Sequence, residues 1–338
     1  MNRHPLHATA RPAQAPDARR RRLLAALPAA AVLGPWPLAG RAASLDGPLT
    51  VVVPYAPGGT SDVVARVVAE RLQPLLGVTV VVDNRTGAGG RIAMQQVKRT
   101  PASQHVIVLG NPAVMVVAPV VFKDAGYEPA DFAALSNVSL YDFAIAVGRE
   151  VPVKALTHLV AWLRANPQSA NFGVPATGSL PHFFGLMLGE LTGLQPQIVG
   201  YRGSAPLATD LIGGSLPVGI DTLDALLPQH AAGKLRILAM SGTQRAAFAP
   251  DIPTFTEAGL KIAANGWNAF FAPASMPAER RRVLSDAIAT VMKEPALQAR
   301  FTELKLTPVS STAAQTEAML QAYRAQWLPV VKRSNFQA

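Results

Sequence analysis

Cysteine is absent from the 338-residue chain. That excludes disulfides, thiolate metal sites, cysteine nucleophiles and a lipid anchor on a mature terminal cysteine. Histidine is scarce. Beyond residue 42 only His105, His158, His182 and His230 occur, none with a histidine or acid partner at ligand spacing. No metal site and no cofactor are expected. Charged residues make up 15 % of the chain against 49 % apolar, which excludes a disordered polyelectrolyte and provides for buried cores. After the N-terminal region no run of about 18 uninterrupted apolar residues occurs, so the mature chain is expected to be soluble. There is no G-x-S-x-G elbow, no Walker A loop and no H-E-x-x-H, so no catalytic residue is assigned.

The net charge of +10 is unevenly placed. Residues 1–42 hold seven arginines against Asp17 alone, a net +6, which leaves +4 for the rest. No stripe of Lys and Arg with interleaved aromatics follows, so a nucleic-acid partner is not expected. Residues 1–22 are basic and end in Arg19-Arg20-Arg21-Arg22. An apolar stretch runs from Leu23 to Leu38, broken by Pro28, Pro35 and Pro37, and small residues follow at Ala39, Gly40, Ala42 and Ala43. Basic, apolar and small regions in that order describe a secretory signal over 1–42, cleaved after Ala42. The route is general secretion, and the arginine run also permits the twin-arginine route. The chain is therefore expected to be exported.

The mature chain alternates short β-branched runs with helical patterns. Strands are expected at Thr50-Val51-Val52-Val53, Thr79-Val80-Val81-Val82 and Val106-Ile107-Val108-Leu109, and a helix through Val63, Val64, Val67, Val68 and Leu72. A second half repeats the pattern, with strands near 171–174, 198–199, 218–220 and 235–240. Helices are expected over 181–193, 205–212 and 223–232, and the chain turns helical over 277–292, 295–304 and 313–333. The fold class is therefore α/β, with two halves packed as neighbours and no solenoid repeat.

The chemistry-bearing residues sit in strand-to-helix turns. Pro54-Tyr55-Ala56-Pro57-Gly58-Gly59-Thr60-Ser61-Asp62 brings backbone and free helix N–H groups to one place, either as an anion seat or as a tight turn with an ordinary cap. Asp83-Asn84-Arg85-Thr86-Gly87-Ala88-Gly89-Gly90 fails the dinucleotide fingerprint, because Ile92 holds the third glycine position. There Asn84 offers a side-chain donor. The turns at Thr177-Gly178-Ser179 and Tyr201-Arg202-Gly203-Ser204 offer hydroxyls and amides. Asp221 either orients a ligand amide or water or caps the next helix, and His182 is either a ligand contact or a packing residue. Ligands in open α/β sheets bind beyond the carboxyl ends of the strands, where all these turns lie.

The segment Val51–Arg66 resembles the opening of the Bug-type receptors, the substrate-binding proteins of tripartite tricarboxylate transporters. Val82-Asp83-Asn84-Arg85-Thr86-Gly87-Ala88-Gly89-Gly90, Gly178-Ser179-Leu180-Pro181-His182 and Tyr201-Arg202-Gly203-Ser204-Ala205-Pro206 are similar to further signatures of that family. So are Pro250–Gly259 and Trp267-Asn268-Ala269-Phe270-Phe271-Ala272-Pro273. The resemblance runs from about residue 48 to the C-terminus. It implies a type II periplasmic-binding-protein fold, two α/β lobes joined by crossing hinge strands, with residues 43–142 plus 268–338 in lobe 1 and 143–267 in lobe 2. It implies carboxylate contacts from Tyr55, Gly58, Gly59 and Thr60 on one lobe. Gly178, Ser179, His182, Gly203, Ser204 and Asp221 would serve from the other.

The resemblance also implies membrane permease subunits as partners of a monomeric receptor. Two departures stand out. Ala102-Ser103-Gln104-His105 replaces an Asp-Gly-Tyr-Thr run, a change assigned to a surface loop. The stretch Asn111–Val121 is more apolar than the family pattern. Two other readings are carried: a receptor feeding a signalling partner, and an exported hydrolase using Ser179 with His182.

Overall fold

The computed structural model describes residues 45–334 and 336. The secretory signal expected over 1–42 lies outside the described residues. Strand β1 (Leu49–Val53) is buried at four of its five positions because it has parallel partners on both edges, β2 (Val80–Asn84) and β3 (Val106–Gly110), and helices over its faces. Helix α1 (Thr60–Leu76) buries Val64, Val68 and Leu72 in one stripe against Val51 and Val53. It ends on Gly77, whose φ of 68° lets its N–H return to Gln73 O. Helix α2 (Arg91–Lys98) packs Ala93, Met94 and Val97 on the other face with Val52 and Val108.

A π turn (Ala113–Val117) leads into α3 (Ala118–Val121). Val114, Met115, Val116 and Val117 are buried in the core, which accounts for the apolar character of this stretch. Ala102, Ser103 and Gln104 are exposed, as a surface loop requires. His105 is the exception: it is buried and its Nε2 meets the Asp46 carboxylate.

The remaining elements are β4 (Phe132–Gly148), α4 (Leu156–Ala165), β5 (Asn171–Val174), α5 (Leu180–Thr192), β6 (Gln197–Gly200), α6 (Ser204–Ile212), β7 (Val218–Thr222), α7 (Leu223–Ala231), β8 (Leu235–Met240), β9 (Asn265–Pro273), α8 (Ala278–Val291), α9 (Pro295–Glu303), β10 (Thr307–Pro308) and α10 (Ala313–Arg333). The main path of the sheet runs β2-β1-β3-β9-β4-β7-β5-β6, with β8 and β10 also on β4.

The 17-residue β4 serves two sheets. Its first part pairs antiparallel with β9, from Phe132↔Pro273 to Asp142↔Asn265. From Phe143 onward it pairs antiparallel with β7 on one edge and β8 on the other. Ser241 braces the handover: its Oγ accepts from Phe143 N at 2.8 Å, and its N–H donates to Phe143 O at 2.8 Å. Two α/β lobes joined by crossing strands result.

The C-terminal helix α10 lies along both lobes. Thr312 caps it in a reciprocal box with Gln315. Near its other end Trp327 is fully buried in the core shared with Phe143 and Phe184. Beyond it, Phe336 meets the rings of His182 and Phe183. The Arg333–Glu190 pair to α5 is half exposed, so it adds little stability beside this packing.

Candidate ligand-binding cleft

A cavity of about 250 Å³ opens between the lobes, lined by Tyr55, Gly59, Thr60, Ser61, Asn111, Tyr141, Thr222, Asp224 and Asn268. Its floor on the lobe 1 side is the N-terminus of α1. Gly59 is the N-cap and supplies no side-chain cap. The first backbone closure of the helix is Val63 N to Gly59 O at 3.0 Å, which leaves the amides of Thr60, Ser61 and Asp62 without helical acceptors. Gly58 precedes them with φ 86°, a backbone conformation that a β-carbon would strain.

This turn is held from behind. Asp62 Oδ2 accepts from Gly58 N at 2.8 Å and Arg66 Nε at 3.0 Å, and Oδ1 accepts from Asn84 Nδ2 at 2.9 Å. Burial alone would raise the Asp62 carboxyl, but Arg66, Gly58 and Asn84 together hold it below its ordinary value. Asn84 also donates to Tyr55 O at 3.0 Å and accepts from Arg66 at 2.9 Å. Its amide is fully engaged in shaping the turn, and it does not line the cavity.

The side chains above the helix start are wired to one another. Tyr55 Oη donates to Asn111 Oδ1 at 2.9 Å, and that oxygen also accepts from Ala113 N at 3.0 Å. Ser61 Oγ donates to Asn268 Oδ1 at 3.1 Å, and Asn268 Nδ2 donates to Ser139 Oγ at 3.0 Å. Tyr141 lies flat against Gly266, its register partner, where a β-carbon would stand 2.0 Å from the ring. Burial pushes the phenols of Tyr55 and Tyr141 well above their ordinary value, so both remain protonated donors. Strand alternation turns the neighbours of Tyr141, Leu140 and Asp142, to the opposite side. There they line a second cavity of about 320 Å³ with Phe248, Thr307 and Asn265.

The lobe 2 wall comes from the end of β7 and the start of α7. Thr222 is the α7 N-cap and Asp224 lies in its first turn. Asp221, at the end of β7, is 2 % exposed. Its Oδ1 accepts from Thr222 N at 2.7 Å, and its Oδ2 has no hydrogen-bond partner. Burial pushes its carboxyl up to about 6, against the pull of the Ser204 hydroxyl and the Thr222 amide.

Of the residues expected at the site, Tyr55, Gly59 and Thr60 line the cavity, and Gly58 sits at its edge. Gly178, Ser179, His182, Gly203, Ser204 and Asp221 stand outside its lining. Their turns are tied together, with Gly203 N donating to Pro175 O at 2.8 Å. His182 accepts from Gly178 N at 2.8 Å through Nδ1 and stacks on Phe183 at 5.0 Å, and burial lowers its pKa. That nitrogen is therefore unprotonated and committed to Gly178, and the buried Ser179 Oγ has no partner. Ser179 and His182 do not form a nucleophile–base pair.

Ser61, Asn111, Tyr141, Thr222, Asp224 and Asn268 line the cavity without having been singled out from sequence. Asn111 carried a signal, as the residue directly after a parallel strand. Thr222 and Asp224 lie next to Asp221, and Asn268 lies in the Trp267–Pro273 motif. Tyr141 had none, because only the path of β4 brings it here. No lysine, arginine or histidine lines the cavity, and no metal-holding group of His, Cys, Asp and Glu occurs among the described residues.

Two lobes on crossing strands, with a cleft at the carboxyl ends of their strands where hydroxyl, amide and carboxyl side chains converge, define a solute receptor of the type II periplasmic-binding class. The sequence pattern of the tripartite tricarboxylate transporter family receptor matches residues 64–336, and the chain belongs to that family. A relative from Agrobacterium vitis, the UPF0065 protein in the TAR-I ttuE-ttuC' intergenic region, is 31 % identical over 307 residues, 90 % of this chain and 88 % of the relative. Protein BugT of Bordetella pertussis is 30 % identical over 290 residues, 85 % of this chain and 89 % of BugT. The solved structure of R. palustris Rpa4515 with adipate matches with a TM-score of 0.75 at 30 % identity, covering 85 % of this chain and 97 % of that one. The chain is thus a solute-binding protein. Among the described residues no helix is long and apolar enough to cross a membrane.

Proposed function

We propose that the chain is an exported receptor that captures a small carboxylate, or a related amide, and delivers it to the membrane permease subunits of a tripartite transporter. Residues 1–42 are the removed signal, the mature chain is a periplasmic monomer, and it binds without turnover. Residues 43–142 plus 268–338 form one jaw and 143–267 the other. The carrying observation is the uncapped N-terminus of α1 at the floor of a cleft whose hydroxyls and amides are already positioned. A carboxylate oxygen suits the free amides of Thr60 and Ser61, where the helix dipole adds to the hydrogen bonds. Tyr141 supplies a phenolic donor beside it, while the Tyr55 proton is committed to Asn111 and leaves that hydroxyl oxygen as an acceptor. Closure of lobe 2 brings Thr222 and the turns at Gly178, Ser179, Gly203 and Ser204 over the ligand. His182 and Asp221 serve by holding the Gly178 and Thr222 turns in shape, and Asn84 by holding the α1 turn.

The test is a thermal-shift screen of the purified protein against small carboxylates and their amides. A ligand at about 100 times its Kd adds about 2.7 kcal/mol to the stability, a shift of several degrees. If no acid or amide moves the melt, even after unfolding and refolding to strip retained ligand, the carboxylate reading fails.

A further inference from the structure

The two ends of the cleft cavity differ in charge, and neither holds a cation. At the α1 end the first-turn amides are bare, and the helix dipole favours an anion. At the α7 end the same kind of helix start is already filled by the chain's own carboxylate. Asp224 lies in the first turn of α7 and lines the cavity. Burial raises the Asp224 carboxyl above its ordinary value, and the Thr222 hydroxyl and the amides of Asp224 and Ala225 oppose that rise only in part. Behind it, Asp221 buries an oxygen with no hydrogen-bond partner. The Tyr141 phenol, between the two ends, feels both Tyr55 and Asp224.

A dicarboxylate seated with one end on α1 would set its second charge against Asp224, with no lysine, arginine or histidine in the lining to offset it. Like charges in a partly buried site are strongly disfavoured. An N–H group at the same place would meet a carboxylate that still has unused lone pairs, and a charge-assisted hydrogen bond would form.

We propose that Asp224 determines specificity: it selects a carboxylate whose far end carries an N–H donor, an ammonium or a carboxamide, over the matching dicarboxylate. The assignment rests on the receptor reading above. It gives the ligand a direction, with the carboxylate on α1 and the nitrogen on α7.

Calorimetric titration of the purified protein with matched trios of straight-chain ligands tests it. Each trio holds a dicarboxylate, its monoamide and the ω-amino acid, in chains of four, five and six carbons. In the best-fitting trio a nitrogen-bearing ligand binds at least tenfold tighter than the diacid, which is about 1.4 kcal/mol. The amide-to-amine ratio tells which donor is preferred. Asp224→Asn narrows the gap by tightening the diacid. If the diacid is the tightest ligand of the wild-type protein and weakens in Asp224→Asn, Asp224 instead donates a proton to the ligand and the proposal falls while the receptor reading stands. If no member of any trio binds while another acid or amide moves the melt, the receptor reading stands and this proposal falls; if nothing in either screen binds, the carboxylate reading falls and takes this one with it. The wild-type ranking decides even if the variant does not fold.

Discussion

The two walls of the cleft are built on opposite plans. The lobe 1 wall is neutral and internally wired: Tyr55 to Asn111, and Ser61 through Asn268 to Ser139. Its one nearby acid, Asp62, is neutralised behind the turn by Arg66. The lobe 2 wall carries two carboxylates, Asp221 and Asp224, with no basic side chain in the cavity lining to answer them. Pre-organisation therefore belongs to the first wall, which holds its donors in place before a ligand arrives. Discrimination belongs to the second, where a wrong partner meets an uncompensated charge.

The sharpest way to break this contrast is to neutralise the second wall. Asp221 titrates at about 6 in the folded protein, above its ordinary value of about 3.9. Between those values the native state holds the extra proton, so stability falls as pH rises through this window and stays low above it. Asp221→Asn removes that loss and gains about 3 kcal/mol at pH 8 with little change at pH 4. Urea unfolding at the two pH values reads it, and a variant that keeps the wild-type slope would assign the titration to another group.

Gly266→Ala attacks the first wall. Its β-carbon would meet the Tyr141 ring at 2.0 Å, so the ring must leave its place in the cleft. The expected cost is about 2 kcal/mol by overpacking, with weaker binding of every ligand alike. A melt unchanged from wild type would show that the ring is free to move. Tyr55→Phe is the mildest change. It removes the bond to Asn111 while two amides still serve that oxygen, and costs about 1 kcal/mol. Its effect on affinity should be the same for diacids and amides, because this wall does not discriminate.

The sequence displayed the parallel strands and their helices because apolar runs such as Val51–Val53 and stripes such as Val64, Val68 and Leu72 keep a clean period. It did not display β4. Ser136, Asn137, Ser139 and Asp142 interrupt its apolar pattern, yet all four are buried. Ser136 Oγ donates to Ser311 O at 2.8 Å, and Asn137 N donates to Ser311 Oγ at 2.8 Å and Thr316 Oγ1 at 2.9 Å. Ser139 and Asp142 are met in turn by Asn268 and Asn265, 129 and 123 positions away, and no local pattern carries that information. The same holds for the cleft. The α1 turn was legible because glycines and a helix start are local features. Tyr141 was not, because its position depends on a strand that passes from one sheet to the other.

That strand has a mechanical consequence. Tyr141 faces the cleft, while Leu140 and Asp142 face the second cavity on the reverse side. Phe248 lines that second cavity, and the Lys305 Nζ stands 5.8 Å from its ring centroid. In the proposed closure, a rotation about β4 that narrows the front would widen the back, as a seesaw raises one end when the other drops. Because the chain has no cysteine, a single thiol placed at Phe248 and labelled with a fluorophore would report every closure of the jaws from a position the ligand never touches.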